Sequence, residues 1–384
     1  MTRNTLFDSI PRRSGPAAYS ESHFAFLNRR DGPEWQRVRD LADAWYIDHP
    51  DPNGGLRARF REHDIRQHAG AWWELYSYTL FRRLGYDVDV DPVVPGGTGR
   101  PDLLVTRGDA RVYVECAVLF EDGSRKASDS EAWLKDCIDA ARNPDFMVGI
   151  VFERFGSLRP KKRHVTHEIE NWLASLDYNS VLEASGEGNA PSFPSQTFDF
   201  VDSRVKLTAL PVHPDARGND MGRIGFGPGG GAFPIQSVGE IRKMIKDKAS
   251  QCRGVDAPLI VAIANWTTFA SAREVEEALF GSRAIKRNEL SAYMIRARDG
   301  YWYPGPPPRG SSISAIMFGE HIHTSQVVGK LPTLWLNPWA HKPILAQLPF
   351  ETHTAHDTGE VFLLAEASTS PDALFDLPSN WPGF

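Results

Sequence analysis

Residues 99–120 read GRPDLLVTRGDARVYVECAVLF, and the pair Gly108-Asp109 at the centre of this stretch sets the reading of everything around it. Gly-Asp is a recognised two-residue hairpin loop, and the flanking residues alternate with a strand period. If 107 faces 110 across the turn, then 105 faces 112 and 102 faces 115. Asp102 therefore stands directly opposite Glu115, where side chains on one face have Cβ atoms ~4.5–5.5 Å apart. Two carboxylates that close repel one another unless a proton or a cation lies between them. Their hard oxygen atoms favour Mg²⁺ or Mn²⁺. The strand around Glu115 is otherwise apolar (Val112, Val114, Cys116, Val118). A one-residue slip in register would separate the pair, so the turn carries the argument.

A third acid lies upstream. The pattern predicts one long helix over about 56–84, ending before Gly85. On it Gln67, Ala71, Glu74, Tyr78 and Phe81 form a single stripe, which sets Glu74 among core-type residues. A buried glutamate is costly unless it is paired, protonated or linked to a metal.

Working outward, residues 1–20 read as a poorly ordered tail and 33–47 as helical, broken by HPDPNGG at 49–55. Residues 1–53 are thus a tail and helical arm, and 54–384 a single domain with an insertion at about 121–235. Within the domain, 86–91, 103–106 and 112–120 read as strands. The insertion holds a helix at 129–142, a strand at 146–153, a helix at 168–176, a loop at 185–196 and a strand region at 198–212. A glycine-rich loop at 222–233 follows. After it come a helix at about 237–252, a continuous apolar strand at 259–264, a helix near 272–280, a strand at 313–318 and a Pro- and Trp-rich close. Segregated helices around an antiparallel hairpin imply an α/β or α+β fold, a mixed central sheet flanked by helices.

The chain has 384 residues, 41% hydrophobic and 24% charged, and a net charge of −6. That balance disfavours a protein that coats nucleic acid non-specifically. It leaves room for an acidic centre with a local basic rim, and Arg57, Arg59, Arg61 and Arg66 crowd the region before Glu74. No run of about 18 apolar residues suggests a membrane span. The three separated cysteines, Cys116, Cys137 and Cys252, read as buried thiols of a reduced cytoplasm.

The run Glu74 … Pro101-Asp102 … Glu115-x-Ala117 resembles the PD-(D/E)XK superfamily of nucleases, over residues 56–120 and, beyond the insertion, 237–264. It is also similar to bacterial proteins with a "PDFLV … YVEAT" hairpin and a late "LW-NP-A" segment, here Leu334 to Ala340. The resemblance implies a restriction-endonuclease-like fold. It also implies Mg²⁺ or Mn²⁺ held by Glu74, Asp102 and Glu115, and hydrolysis of phosphodiester bonds, of DNA in the first instance, in bacterial defence or nucleic-acid processing. Many such enzymes cut duplexes as homodimers. The family places a lysine two residues after the last glutamate, and here that position is Ala117. Either the site is silent, leaving a nuclease-like module that binds nucleic acid or a protein partner, or a lysine arrives from elsewhere. Lys248 is the first candidate. It drops into the apolar face of helix 237–252, between Ile245 and Cys252. Lys126 and Lys246 are weaker choices.

Other signals carry less. Gly225 to Gly231 contains a proline and is followed by no GK[ST], so it reads as a loop rather than a phosphate cradle. His321-x-His323 with Asn337 and His341 matches no metal spacing. Tyr301 to Pro308 reads as a packed aromatic loop.

Overall fold

The computed structural model describes residues 5–97, 99–120, 129–186, 193–218, 223–225, 237–267, 270–287 and 292–383. The chain forms two compact units. The larger holds 1–15, 22–123 and 235–384, and the smaller holds 16–21 and 124–234.

The larger unit opens with α1 (His23–Arg29), α2 (Pro33–Asp48), α3 (Gly55–Phe60) and α4 (Ile65–Arg83). The strands β1 (Asp87–Val90), β2 (Leu103–Arg107) and β3 (Ala110–Leu119) follow. The smaller unit carries α5 (Asp129–Asp139), β4 (Phe146–Arg154), α6 (Lys162–Ala174), α7 (Tyr178–Gly186), β5 (Ser195–Phe200) and β6 (Ser203–Pro211). The larger unit resumes with α8 (Ser237–Gln251), β7 (Leu259–Asn265), α9 (Ala272–Phe280), β8 (Arg283–Arg287), β9 (Ala292–Arg296) and β10 (Ala315–Glu320). It closes with β11 (Thr333–Leu336), β12 (Thr352–Ala355), β13 (Val361–Ala365) and α10 (Pro371–Phe375).

Eight strands form the central sheet in the order β1-β2-β3-β7-β10-β11-β12-β13. β3, β7 and β10 run parallel, while β1, β2 and β3 are joined antiparallel. β7 (LIVAIAN) is buried at every position, as a continuous apolar run inside a sheet covered on both faces should be. One face carries Val112, Val114 and Cys116 in a core shared with α4, and the other carries Tyr113, Ala117 and Leu119 in a core shared with α8 and α9. Trp73 pins α4 to the sheet. Its indole N–H donates to the Ala262 carbonyl at 2.9 Å, and its ring lies so close to β10 that a Cβ on Gly319 would sit 2.5 Å from it.

Three expectations need correction. The long helix over 56–84 is broken into α3 and α4, because the Asp64 carboxylate caps the new start by accepting from the Arg66 N–H at 3.0 Å. The N-terminal tail and arm do not stand apart: Leu6 and Phe7 are buried in the same core as α2 and α4. The Pro- and Trp-rich close supplies three strands of the main sheet. These strands are four or five residues long, too short for a period to declare itself.

The smaller unit packs a three-stranded antiparallel sheet, β4-β6-β5, with α5, α6 and α7 around its own core of Leu134, Phe146, Ile169 and Leu207. The strand region read at 198–212 is a hairpin, α6 begins at the basic run Lys161 to His164, and α7 fills the stretch between the helix read at 168–176 and the loop read from 185. Most of the glycine-rich loop, and Lys126, lie outside the described residues.

Candidate active site

The hairpin has the expected register. Arg107 faces Ala110, Val105 faces Val112 and Leu103 faces Val114, with Gly108 taking the left-handed φ of +57° that the two-residue turn requires. Asp102 lies one step beyond the last paired residue. Its Oδ2 accepts from the Cys116 N–H at 2.6 Å, and its carbonyl accepts from the Asp91 N–H at 2.9 Å. Both ties fix the acid at the mouth of the hairpin.

Glu115 is 3% exposed. Its Oε1 accepts from the Lys248 ammonium at 2.6 Å, and its Oε2 lies 3.3 Å from the Cys252 thiol, which donates to it. Lys248 comes from α8, whose Ile241 and Ile245 are fully buried against the sheet. Lys248 lies about two turns beyond Ile241 on that helix, which delivers its ammonium to Glu115. Lys246, two residues away, is exposed and lines a different cavity.

Glu74, from α4, is buried and accepts from Arg59 Nη2 at 2.6 Å. It lines a cleft of about 320 Å³ together with Asp102, Ala117, Lys248, Arg59 and Arg66. The Arg66 guanidinium lies 4.8 Å from the ring centre of Phe120 at the same cleft. Gln67, expected on the core stripe of the helix, is exposed there instead.

The electrostatics follow from crowding in a dry place. Burial, then the charges of Glu115 and Glu74, push Asp102 from its ordinary 3.8 up to about 7. Burial also raises Glu74, with Arg59 pulling the other way. Burial opposes the charge on Lys248, but Glu115 and Asp102 outweigh it and the ammonium is held more firmly than usual. Burial pushes the thiols Cys116 and Cys252 up, so both stay protonated.

Among the described residues no three His, Cys, Asp or Glu side chains converge into a ready-made metal cage. The three acids expected to act as one ligand set are divided: Glu74 is matched to Arg59, while Asp102 and Glu115 remain as neighbours. The donors of that pair are carboxylate oxygens only, which suits a hard divalent cation. Asp102's raised pKa reflects burial first and the charges of Glu115 and Glu74 second. Two acids and an ammonium thus lie together, with both Glu115 oxygens already engaged, by Lys248 and Cys252.

Of the arginines that crowd the sequence before Glu74, Arg59 and Arg66 are the two that line the cleft. Their one signal was proximity in sequence to Glu74. The His321, His323, Asn337 and His341 group does not assemble. His341 bonds to Ser311, the Asn337 amide donates to the Gly310 and Ile313 carbonyls, and His323 packs edge-on to Trp266. Trp302 is buried as part of a packed loop.

The chain is a mixed α/β protein with a large central sheet flanked by helices and an inserted compact unit. Among its described residues no helix is long and apolar enough to cross a membrane. No protein-family model, curated protein or solved structure matches it.

Proposed function

We propose that this chain is a divalent-metal-dependent nuclease of restriction-endonuclease-like fold, hydrolysing phosphodiester bonds of DNA. The observation that carries the reading is the 2.6 Å contact between the Lys248 ammonium and Glu115, beside Asp102. It supplies from α8 the cation that Ala117 lacks. The order α4, hairpin, α8, β7, with β3 and β7 parallel, supports the same reading.

Asp102 and Glu115 would hold Mg²⁺ or Mn²⁺, with Glu74 and its partner Arg59 behind them. When bound, the metal supplies Lewis acidity toward the phosphate and lowers the pKa of a coordinated water. The chain's own groups do the rest. Lys248 sets its positive charge where negative charge develops on the phosphate. Arg66, over Phe120 at the cleft, offers a second cation to the backbone. Cys116 N–H and Cys252 orient the two acids. The buried setting of Glu115 strengthens its contacts with Lys248 and Cys252.

The test is cleavage of plasmid, linear duplex, single-stranded DNA and RNA in Mg²⁺, Mn²⁺ or EDTA. Wild type should cleave DNA in metal and not in EDTA. Asp102→Ala and Glu115→Ala should abolish cleavage, and Lys248→Met should slow it by about 10²-fold or more. Cleavage that survives both acid substitutions rules the site out. No cleavage of any substrate, with no heat of Mg²⁺ or Mn²⁺ binding, leaves the silent nucleic-acid- or protein-binding module favoured by Ala117.

A further inference from the structure

A second cavity in the larger unit, of about 480 Å³, lies where the end of α8 meets the segments around 301–312 and 341–342. Lys246, Arg253, Lys342 and His341 line it, and among the described residues no carboxylate does. Serine hydroxyls complete the polar wall: Ser311, hydrogen-bonded to His341 at 2.9 Å, with Ser250 and Ser312 beside it. The Lys342 ammonium is steered inward by donating to the Val255 carbonyl.

Some arginines of this unit are matched to acids, as Arg59 is to Glu74, Arg111 to Asp256 and Arg242 to Asp299. Lys246, Arg253 and Lys342 form no ion pair among the described residues. Asp256, the acid nearest in sequence to Arg253, is engaged by Arg111 and Tyr113. Three like charges line one concavity, a setting that favours an anion. The carbonyl end of α8 works against an anion, but a helix terminus amounts to roughly half a charge against three full ones.

We infer that this cavity is a binding site for a phosphoryl group, carried either by a free nucleotide or by a polynucleotide backbone. Several cations on one polar wall match a tetrahedral oxyanion bearing up to two charges, for which charge-assisted hydrogen bonds are the strong ones. A volume of this order accommodates more than a bare carboxylate. Cys252 forms part of the wall and also touches Glu115, so the cavity backs directly onto the carboxylate pair. The inference does not depend on the nuclease reading.

Calorimetry on the full chain in EDTA and low salt separates the two. The probes are inorganic phosphate, a nucleoside 5′-monophosphate and a short oligonucleotide with 5′-hydroxyl ends. At least one should bind, and its affinity should fall by about tenfold or more in Lys246→Ala/Arg253→Ala. Both residues are exposed, so the double variant should fold as wild type by circular dichroism. Lys243→Ala, also exposed on α8 but outside the cavity, should bind as wild type. Oligonucleotide binding lost in the double variant assigns a polynucleotide backbone, and binding of phosphate or monophosphate alone assigns a free ligand. No binding of any probe, or binding that the double variant retains, overturns the inference. Because EDTA suppresses metal-dependent hydrolysis, failure here leaves the cleavage experiment untouched.

Discussion

Asp102 is the residue on which the pH behaviour of the candidate site turns. Its carboxyl is raised from 3.8 to about 7 in the folded chain. Between those values the folded state holds a proton that the unfolded state has released. Stability contributed through Asp102 is therefore fully present below the lower value, declines as pH rises and is gone above about 7. Asp102→Asn keeps a carbonyl oxygen for the Cys116 N–H and removes the charge. In EDTA the variant should be more stable than wild type at pH 8, on the order of 1–3 kcal/mol, and equal to it near pH 3.5. Urea unfolding at the two pH values measures this. Mg²⁺ at pH 8 should stabilise wild type and leave Asp102→Asn nearly unmoved. Equal stabilisation of both would place the metal elsewhere.

At the scale of the element, α4 and α8 do the positioning from opposite faces of the sheet. α4 carries Trp72 and Trp73, both buried, and anchors their indole N–H groups on the carbonyls of Ile322 and Ala262. That leaves the register of Glu74 no freedom. Gly70, one turn earlier, lines the cleft, and a Cβ there would meet nothing within 4 Å. Gly70→Ala should therefore stabilise the chain by about 1 kcal/mol through helix propensity alone. Chemical denaturation gives the value. A destabilisation would mean the helix needs the glycine for a close approach that the structure does not contain. α8 works by a simpler rule, since burial of Ile241 and Ile245 dictates where Lys248 points.

For the whole molecule the division into two compact units predicts two unfolding events. Each unit has its own core, and Ile169 is fully buried in that of the smaller one. Ile169→Ala should cost about 2–5 kcal/mol, and scanning calorimetry should show one transition lowered while the other stays in place. Parallel movement of both would show that the units melt as one. The inserted unit also explains why the elements of the carboxylate site lie so far apart in the chain. β3 ends at Leu119 and α8 begins at Ser237, yet the two supply Glu115 and Lys248 at hydrogen-bond distance.

Read alone, the sequence determined the hairpin, because a Gly-Asp turn with alternating flanks sets the register observed from Arg107–Ala110 to Leu103–Val114, one step short of Asp102. It also determined the buried face of α8, since the spacing of Ile241, Ile245 and Cys252 orients Lys248 whatever the helix packs upon. Periods and turns are local, so they survive without knowledge of the rest of the chain. Only the tertiary structure decided that Arg59 neutralises Glu74, which withdraws the third acid from a common ligand set. The same holds for the burial of Leu6 and Phe7, and for the short strands of the C-terminal segment that extend the sheet to eight. Those outcomes rest on partners distant in sequence. No local pattern encodes a charge's neighbour, or the sheet edge that turns four residues into a strand.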